Sequence, residues 1–220
     1  MVKTIIYSTK LKGLEAKQRT VSEGFARPGI VVDSKPVKFA INAVIANYIR
    51  KGDDVRVLMI KNSDGSVSKS GKKWDDIVEA ECREECEETL KPFECNISYT
   101  SIPVLFDGSS ANIRKIYLDM IGALEYKSEI YFDMTYGPKF IPFVAFAAFN
   151  YTEKYYDSDV KAIYYCQAYH TGAQEKTKNI VLPGSEKICE FTPIYRLNSF
   201  CEQVTVSKEA FKYVVSDLFV

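Results

Sequence analysis

The chain has 220 residues, 46% of them hydrophobic, with 29 basic side chains balanced by 29 acidic ones. That length buries a sizeable core without disulfides or metals, and zero net charge excludes broad adhesion to duplex nucleic acid or an anionic membrane. A small basic pocket for a compact anion stays compatible with it. The longest apolar run, Phe140 to Phe149, is about half the roughly 20 residues a bilayer span needs. Val2 to Ile6 is too short, and too soon followed by polar residues, for a signal peptide. The expectation is a soluble, cytoplasmic chain with no membrane partner.

Apolar, β-branched runs alternate with helical patterns, the signature of βαβ units. Lys3 to Ser8 reads as the first strand, followed by a long Lys- and Gly-containing loop, Leu11 to Ser34, that is either a lid or a surface excursion. Val37 to Arg50 carries Ile41, Val44, Ile45 and Tyr48 at helical spacing after Pro36, which predicts a helix. Val55 to Ile60 is the second strand, and the amphipathic stretch Trp74 to Leu90 the next helix. Ile97 to Phe106 predicts a strand and Ile113 to Leu124 a helix. Glu129 to Met134 is again a strand, Lys139 to Tyr155 a strongly apolar helix, and Lys161 to Cys166 a fifth strand. After a polar loop, Gln174 to Gly184, the segment Ile188 to Arg196 reads as a strand or hairpin arm, and Phe200 to Phe219 as a closing helix. No repeat or linker divides the chain, so residues 1–220 are expected to form one α/β domain, Rossmann-like and doubly wound, with a mainly parallel sheet.

Six cysteines lack paired CxxC spacing and read as reduced thiols. Cys82 and Cys86 share a helix face, but no His lies nearby, and Glu84, Glu85, Glu87 and Glu88 read as a solvated acidic surface. No metal and no cofactor is expected. Neither a P-loop nor a GxGxxG fingerprint occurs.

In an open α/β sheet the ligand crevice lies at the carboxyl ends of the strands. Three strand-end turns are rich in hydroxyl residues and Gly: Ser8-Thr9-Lys10, Asp107-Gly108-Ser109-Ser110, and Asp133-Met134-Thr135-Tyr136-Gly137. In the third, Gly137 permits a tight turn, Pro138 suits a helix's first turn, and unpaired N–H groups at the helix start favour an anion. Thr135 can donate a hydroxyl to that anion and Lys139 adds charge. The competing reading is that Asp133 and Thr135 merely cap the helix.

The run Asp133-Met134-Thr135-Tyr136-Gly137-Pro138-Lys139-Phe140-Ile141-Pro142-Phe143 resembles the Asp-x-Thr-His-Gly turn and apolar helix of CRISPR-associated CARF proteins. Phe39-Ala40-Ile41-Asn42-Ala43 upstream, and the order of Val160 to Tyr165, a polar loop, Thr192-Pro193-Ile194-Tyr195 and a last helix downstream, are similar too. Tyr136 stands where many members have His; it keeps a hydrogen-bonding tip and gains stacking area but cannot serve as an imidazole base. The resemblance implies a homodimer that binds cyclic tetra- or hexa-adenylate across its two-fold axis, as a sensor in type III CRISPR antiviral defence. It implies hydroxyls, amides and Lys for the phosphates and aromatic faces for adenine. Ser8, Thr9, Lys10, Asp107, Gly108, Ser109, Ser110, Asp133, Thr135, Tyr136, Gly137 and Lys139 are the expected ligand-binding residues.

Members of that family often join the sensor to an effector such as a HEPN ribonuclease, whose Arg-then-His pattern His170 does not complete. With the sequence ending at Val220, the expectation is a sensor without an effector domain, either acting with a separate effector protein or shorn of its own. Two alternatives stand beside it: a ring nuclease that cleaves the cyclic ligand with help from Thr9, Lys10 and Lys139, and an unrelated metabolic α/β enzyme.

Overall fold

The computed structural model describes residues 1–10, 22–25, 28–169, 184–203 and 208–218. Its strands are β1 (Val2–Ser8), β2 (Ser22–Phe25), β3 (Asp54–Ser63), β4 (Asn96–Leu105), β5 (Ser128–Asp133), β6 (Asp159–Gln167) and β7 (Lys187–Glu190). They form one sheet in the order β2-β7-β6-β5-β1-β3-β4. All neighbours run parallel except β6 and β7. The helices are α1 (Trp74–Leu90), α2 (Ser110–Ala123), α3 (Ile141–Tyr155), α4 (Thr192–Gln203) and α5 (Lys208–Leu218).

The central strands read as continuous apolar runs because both faces of the sheet are covered. Side chains alternate along each strand, so Ile5 and Tyr7 of β1 enter one core and Ile6 the other. The first core is closed by α1, through Val78, Cys82, Cys86 and Leu90 one turn apart, and by residues 37–49. The second is closed by α2 and α3, with Tyr195 of α4 inserted beside Phe149. This is the doubly wound, Rossmann-like α/β arrangement that the alternating pattern predicts. Among the described residues, no helix is long and apolar enough to cross a membrane.

β1, β3 to β6 and α1 to α3 fall where the hydrophobic pattern places them, with ends shifted by a few residues, whereas β2 lies within Leu11 to Ser34, which the pattern reads as a loop. Three further expectations need correcting. Val37 to Arg50 does not form an α-helix: only two 3₁₀ turns appear, Ala40–Ala43 and Ile45–Asn47. Side chains from elsewhere hold the backbone of its first residues, and the Ile41 N–H that an α-helix would pair with Val37 goes to one of them. Lys38 and Phe39 donate to the Glu85 carboxylate on α1 (2.5 and 3.0 Å), and Ile41 donates to Asp133 Oδ2 at the end of β5 (3.1 Å). Second, α3 starts at Ile141, so Pro142 rather than Pro138 occupies its first turn. Third, β7 ends at Glu190 and Thr192-Pro193 opens α4, so the predicted strand or hairpin arm is strand only in its first residues. The closing helix is divided into α4 and α5. Most of the Leu11 to Ser34 loop, His170 and nearly all of Gln174 to Gly184 lie outside the described residues.

Glu153 of α3 joins α4 to β6. It accepts from Tyr195 Oη and Arg196 Nη1 (2.7 Å each) and from the Val160 N–H (3.1 Å), while Arg196 Nη2 reaches Asp159 Oδ1 at 2.6 Å. Burial raises the Asp159 carboxyl, but hydrogen bonds from Lys161 and Arg196 outweigh it and hold the group below its ordinary value. A carboxyl depressed in this way stabilises the fold above its unfolded pKa, and that contribution is lost as pH falls through the folded value. The Asp159→Asn protein is therefore expected to lose less stability than the parent between pH 5 and the acid limit, as urea titrations at a series of pH values will read. Equal acid sensitivity in the two proteins would count against this role.

Candidate ligand cleft at the strand ends

Strand order reverses between β1, which leads on to β3 and β4, and β5, which leads to β6. Beyond the carboxyl ends at such a switch point is where open α/β sheets hold ligands. Two of the three hydroxyl-rich turns meet there. The third does not: Asp107 to Ser110 follow the edge strand β4, with β3 between it and β1. There Asp107 takes the Ser109 N–H and hydroxyl (3.0 and 2.6 Å), and Ser109 Oγ accepts from the Asn112 N–H as the cap of α2. Gly108 and Ser110 complete this capping turn.

At the switch point the turn from β5 is folded down onto the end of β1. Gly137 has φ +96°, and a Cβ there would sit 2.4 Å from Ser8 Oγ and 2.7 Å from Asn62 Nδ2. Asn62 is fully buried and donates to the Thr9 carbonyl (2.6 Å); its own N–H donates to Thr9 Oγ1 (3.0 Å). Thr9 Oγ1 in turn donates to the Ile60 carbonyl. Ser8 and Thr9 are thus sealed beneath the turn. Lys10 is buried as well, its ammonium over the rings of Phe39 and Tyr136 (5.1 and 4.9 Å).

Asp133 is also internal. Its Oδ1 accepts the Thr135 N–H (2.9 Å) and its Oδ2 that of Ile41, so one carboxylate shapes the turn and anchors the 3₁₀ segment. Burial pushes its pKa up from the ordinary value, against those hydrogen bonds and the nearby Lys10 charge. Thr135 Oγ1 accepts from the Cys166 N–H on β6 (2.9 Å), and Tyr136 Oη donates to the Lys38 carbonyl (3.3 Å). None of these side chains caps α3. Its N-cap, Phe140, has no side-chain acceptor to offer. The capping alternative therefore fails for Asp133 and Thr135; the side-chain cap seen at a strand-end turn is Ser109, on α2.

Beside the turn lies a cleft of about 450 Å³. Met134, Thr135, Tyr136, Gly137, Pro138 and Lys139 form one wall. Pro142 and Phe143 of α3, Tyr165 of β6 and Phe191 form the rest. Tyr165 and Phe191 meet edge to face with ring centroids 6.0 Å apart. Of the expected ligand-binding residues, Thr135, Tyr136, Gly137 and Lys139 therefore face one cavity, whereas Ser8, Thr9, Lys10 and Asp133 stand behind it. Lys139 is exposed at its rim. The start of α3 offers fewer amide donors than helix starts usually do, because Pro142 has no N–H and that of Ile141 is used by the Pro138 carbonyl.

The sequence reading missed Phe143, Tyr165 and Phe191 as cleft walls. Alternation gives a signal for Tyr165: its neighbour Tyr164 is fully buried in the first core, so Tyr165 must point to the opposite side of the strand. Away from the cleft, burial pushes the Cys86 thiol up to about 11 and raises that of Cys82, which keeps both protonated near neutral pH. Among the described residues, no group of three or more His, Cys, Asp and Glu side chains is placed to hold a metal. No protein-family model matches this sequence, and no curated protein does either.

Proposed function

We propose that this protein binds a cyclic oligoadenylate in the cleft beside the Asp133–Lys139 turn, as the sensor of a type III CRISPR antiviral system. The observation that carries this reading is the cleft's composition. A turn resembling the CARF signature borders a cavity lined by Tyr136, Phe143, Tyr165 and Phe191, with Lys139 at its rim. Aromatic faces suit adenine, and one exposed ammonium beside a hydroxyl-bearing turn suits a phosphate. Two such sites on the axis of a homodimer would engage a ring of adenosines, and a separate effector protein would read the change.

Isothermal titration with cyclic tetra- and hexa-adenylate, using adenosine monophosphate as a control, tests the reading. One of the two rings is expected to bind. Lys139→Ala is expected to weaken that binding by about 1.5–3 kcal/mol, the range for a hydrogen bond to a charged group. Absence of binding by either ring would sink the proposal. Chromatography of the same mixtures separates a sensor, which leaves the ring closed, from a ring nuclease, which linearises it. Of the helpers named for cleavage, only Lys139 faces the cleft.

A further inference from the structure

Of the residues that line the cleft, Tyr136 alone also packs against the first core, whereas Met134 and Phe191 pack against the second. Its side chain reaches across the strand ends to the opposite face of the sheet. The hydroxyl donates to the Lys38 carbonyl at 3.3 Å, longer than the about 2.7–2.8 Å usual for a hydroxyl donor. The ring meets Phe39 edge to face (6.3 Å between centroids), and the Lys10 ammonium lies over both rings. Residues 37–44, which Tyr136 touches there, are anchored at two carboxylates. Glu85 accepts from the N–H groups of Lys38 and Phe39 and from the Asn42 amide, and Asp133 accepts from Ile41. Asp133 also takes the Thr135 N–H, so the turn that carries Tyr136 and the segment across the sheet share one carboxylate.

We infer that Tyr136 is a latch through which occupancy of the cleft reaches residues 37–44: a filled cleft keeps the latch closed, and an unfilled one lets it open. The cleft, about 450 Å³ in volume, borders the ring and gives it space to turn into. A ring turned that way leaves both the Lys38 carbonyl and the edge of Phe39. What it gives up is one long hydrogen bond and one ring contact, so the opening is local and low in cost. A nucleotide in the cleft takes up the same space. It therefore binds the closed arrangement and not the open one, and a difference in affinity of that kind is what lets a ligand shift an equilibrium. The identity of the ligand rests on the cyclic oligoadenylate reading; the link from Tyr136 to the segment does not.

Amide hydrogen exchange of the full chain, read by mass spectrometry, is the test, because the N–H groups of residues 38–42 exchange when the segment opens. Without any ring present, Tyr136→Phe keeps the aromatic contact and removes the donor to Lys38. Its amides 38–42 are expected to exchange roughly 2- to 5-fold faster than the parent's, as for loss of a weak neutral hydrogen bond, with those of α2 unchanged. Lys139→Ala, which removes a charge from the cleft rim, is expected to exchange as the parent does. Parent-like exchange in Tyr136→Phe, or equal acceleration in both variants, would overturn the latch.

The same measurement with cyclic tetra- and hexa-adenylate reads the effect of filling the cleft. A ring that binds the closed arrangement alone is expected to slow exchange at residues 38–42 about tenfold when its concentration is about ten times its dissociation constant. Amides of α2, outside the cleft and the segment, are expected to slow less. A ring that binds yet leaves residues 38–42 as they were, or slows every element alike, overturns the control of the segment by the cleft. Faster exchange in Tyr136→Phe confined to the segment, together with no binding of either ring, upholds the link from Tyr136 and sinks the ligand reading.

Discussion

Replacing Gly137 by Ala is expected to cost about 2–6 kcal/mol of folding stability. Holding a non-glycine residue at the φ of +96° found there accounts for about 1–3 kcal/mol. Overpacking accounts for about as much again, because the new methyl group would meet Ser8 Oγ and Asn62 Nδ2 well inside van der Waals contact. Neither neighbour retreats cheaply: Ser8 and Asn62 are buried, and the Asn62 amide is tied to the Thr9 carbonyl. Thermal unfolding reads the loss as a fall in midpoint of several degrees or more. A variant as stable as the parent would mean that the turn does not press on the end of β1. If the protein stays folded, the turn must lift, and a loss of ligand affinity beyond the stability change follows from the displaced Tyr136 and Lys139.

Asp133→Ala is the second large effect. It leaves the N–H groups of Ile41 and Thr135 without their acceptor, at about 1–3 kcal/mol each when a buried donor goes unpaired. It also removes the negative charge that faces Lys10. Asp133→Asn retains one acceptor oxygen but turns an NH₂ toward the other donor, so an intermediate loss is expected. Urea unfolding ranks the three proteins, provided their m-values agree. The order parent, Asn, Ala supports a carboxylate that organises both the turn and the 3₁₀ segment. An Ala variant within about 0.5 kcal/mol of the parent, as for an ordinary surface substitution, would remove Asp133 from that role.

The sheet was legible because its central strands are buried on both faces. Lys3 to Ser8 and Glu129 to Met134 could hardly be anything but interior strands, and their parallel pairing follows from the helices between them. Val37 to Arg50 misled for a reason that local pattern cannot reveal. Ile41, Val44 and Ile45 are all buried, as an amphipathic helix would have them, yet carboxylates 46 and 92 residues further on hold the backbone. The β5 turn was legible in Asp133 and Gly137, since a carboxylate and a glycine at that spacing mark a constrained strand end. Which hydroxyls are open and which are sealed was not. Ser8 and Thr9 read like ligand donors, but Asn62, supplied by β3, pairs with them inside the protein.

The attachment of residues 37–44 to Glu85 and Asp133 also bears on the order in which the molecule assembles. No hydrogen bond within the segment compensates for its early ordering beyond the single contacts of its 3₁₀ turns, and a loop of some ninety residues must close before Asp133 can accept from Ile41. The β3–α1–β4 unit, by contrast, is contiguous in sequence and pairs along ten residues of each strand. In folding that begins there, Glu85 on α1 can already accept from Lys38 and Phe39, but the Ile41 N–H gains its acceptor only when β5 arrives. The face of the sheet that carries the first core, opposite the side to which Tyr165 turns, thus gains its last backbone anchor from β5 and loses it when the β5 turn lets go.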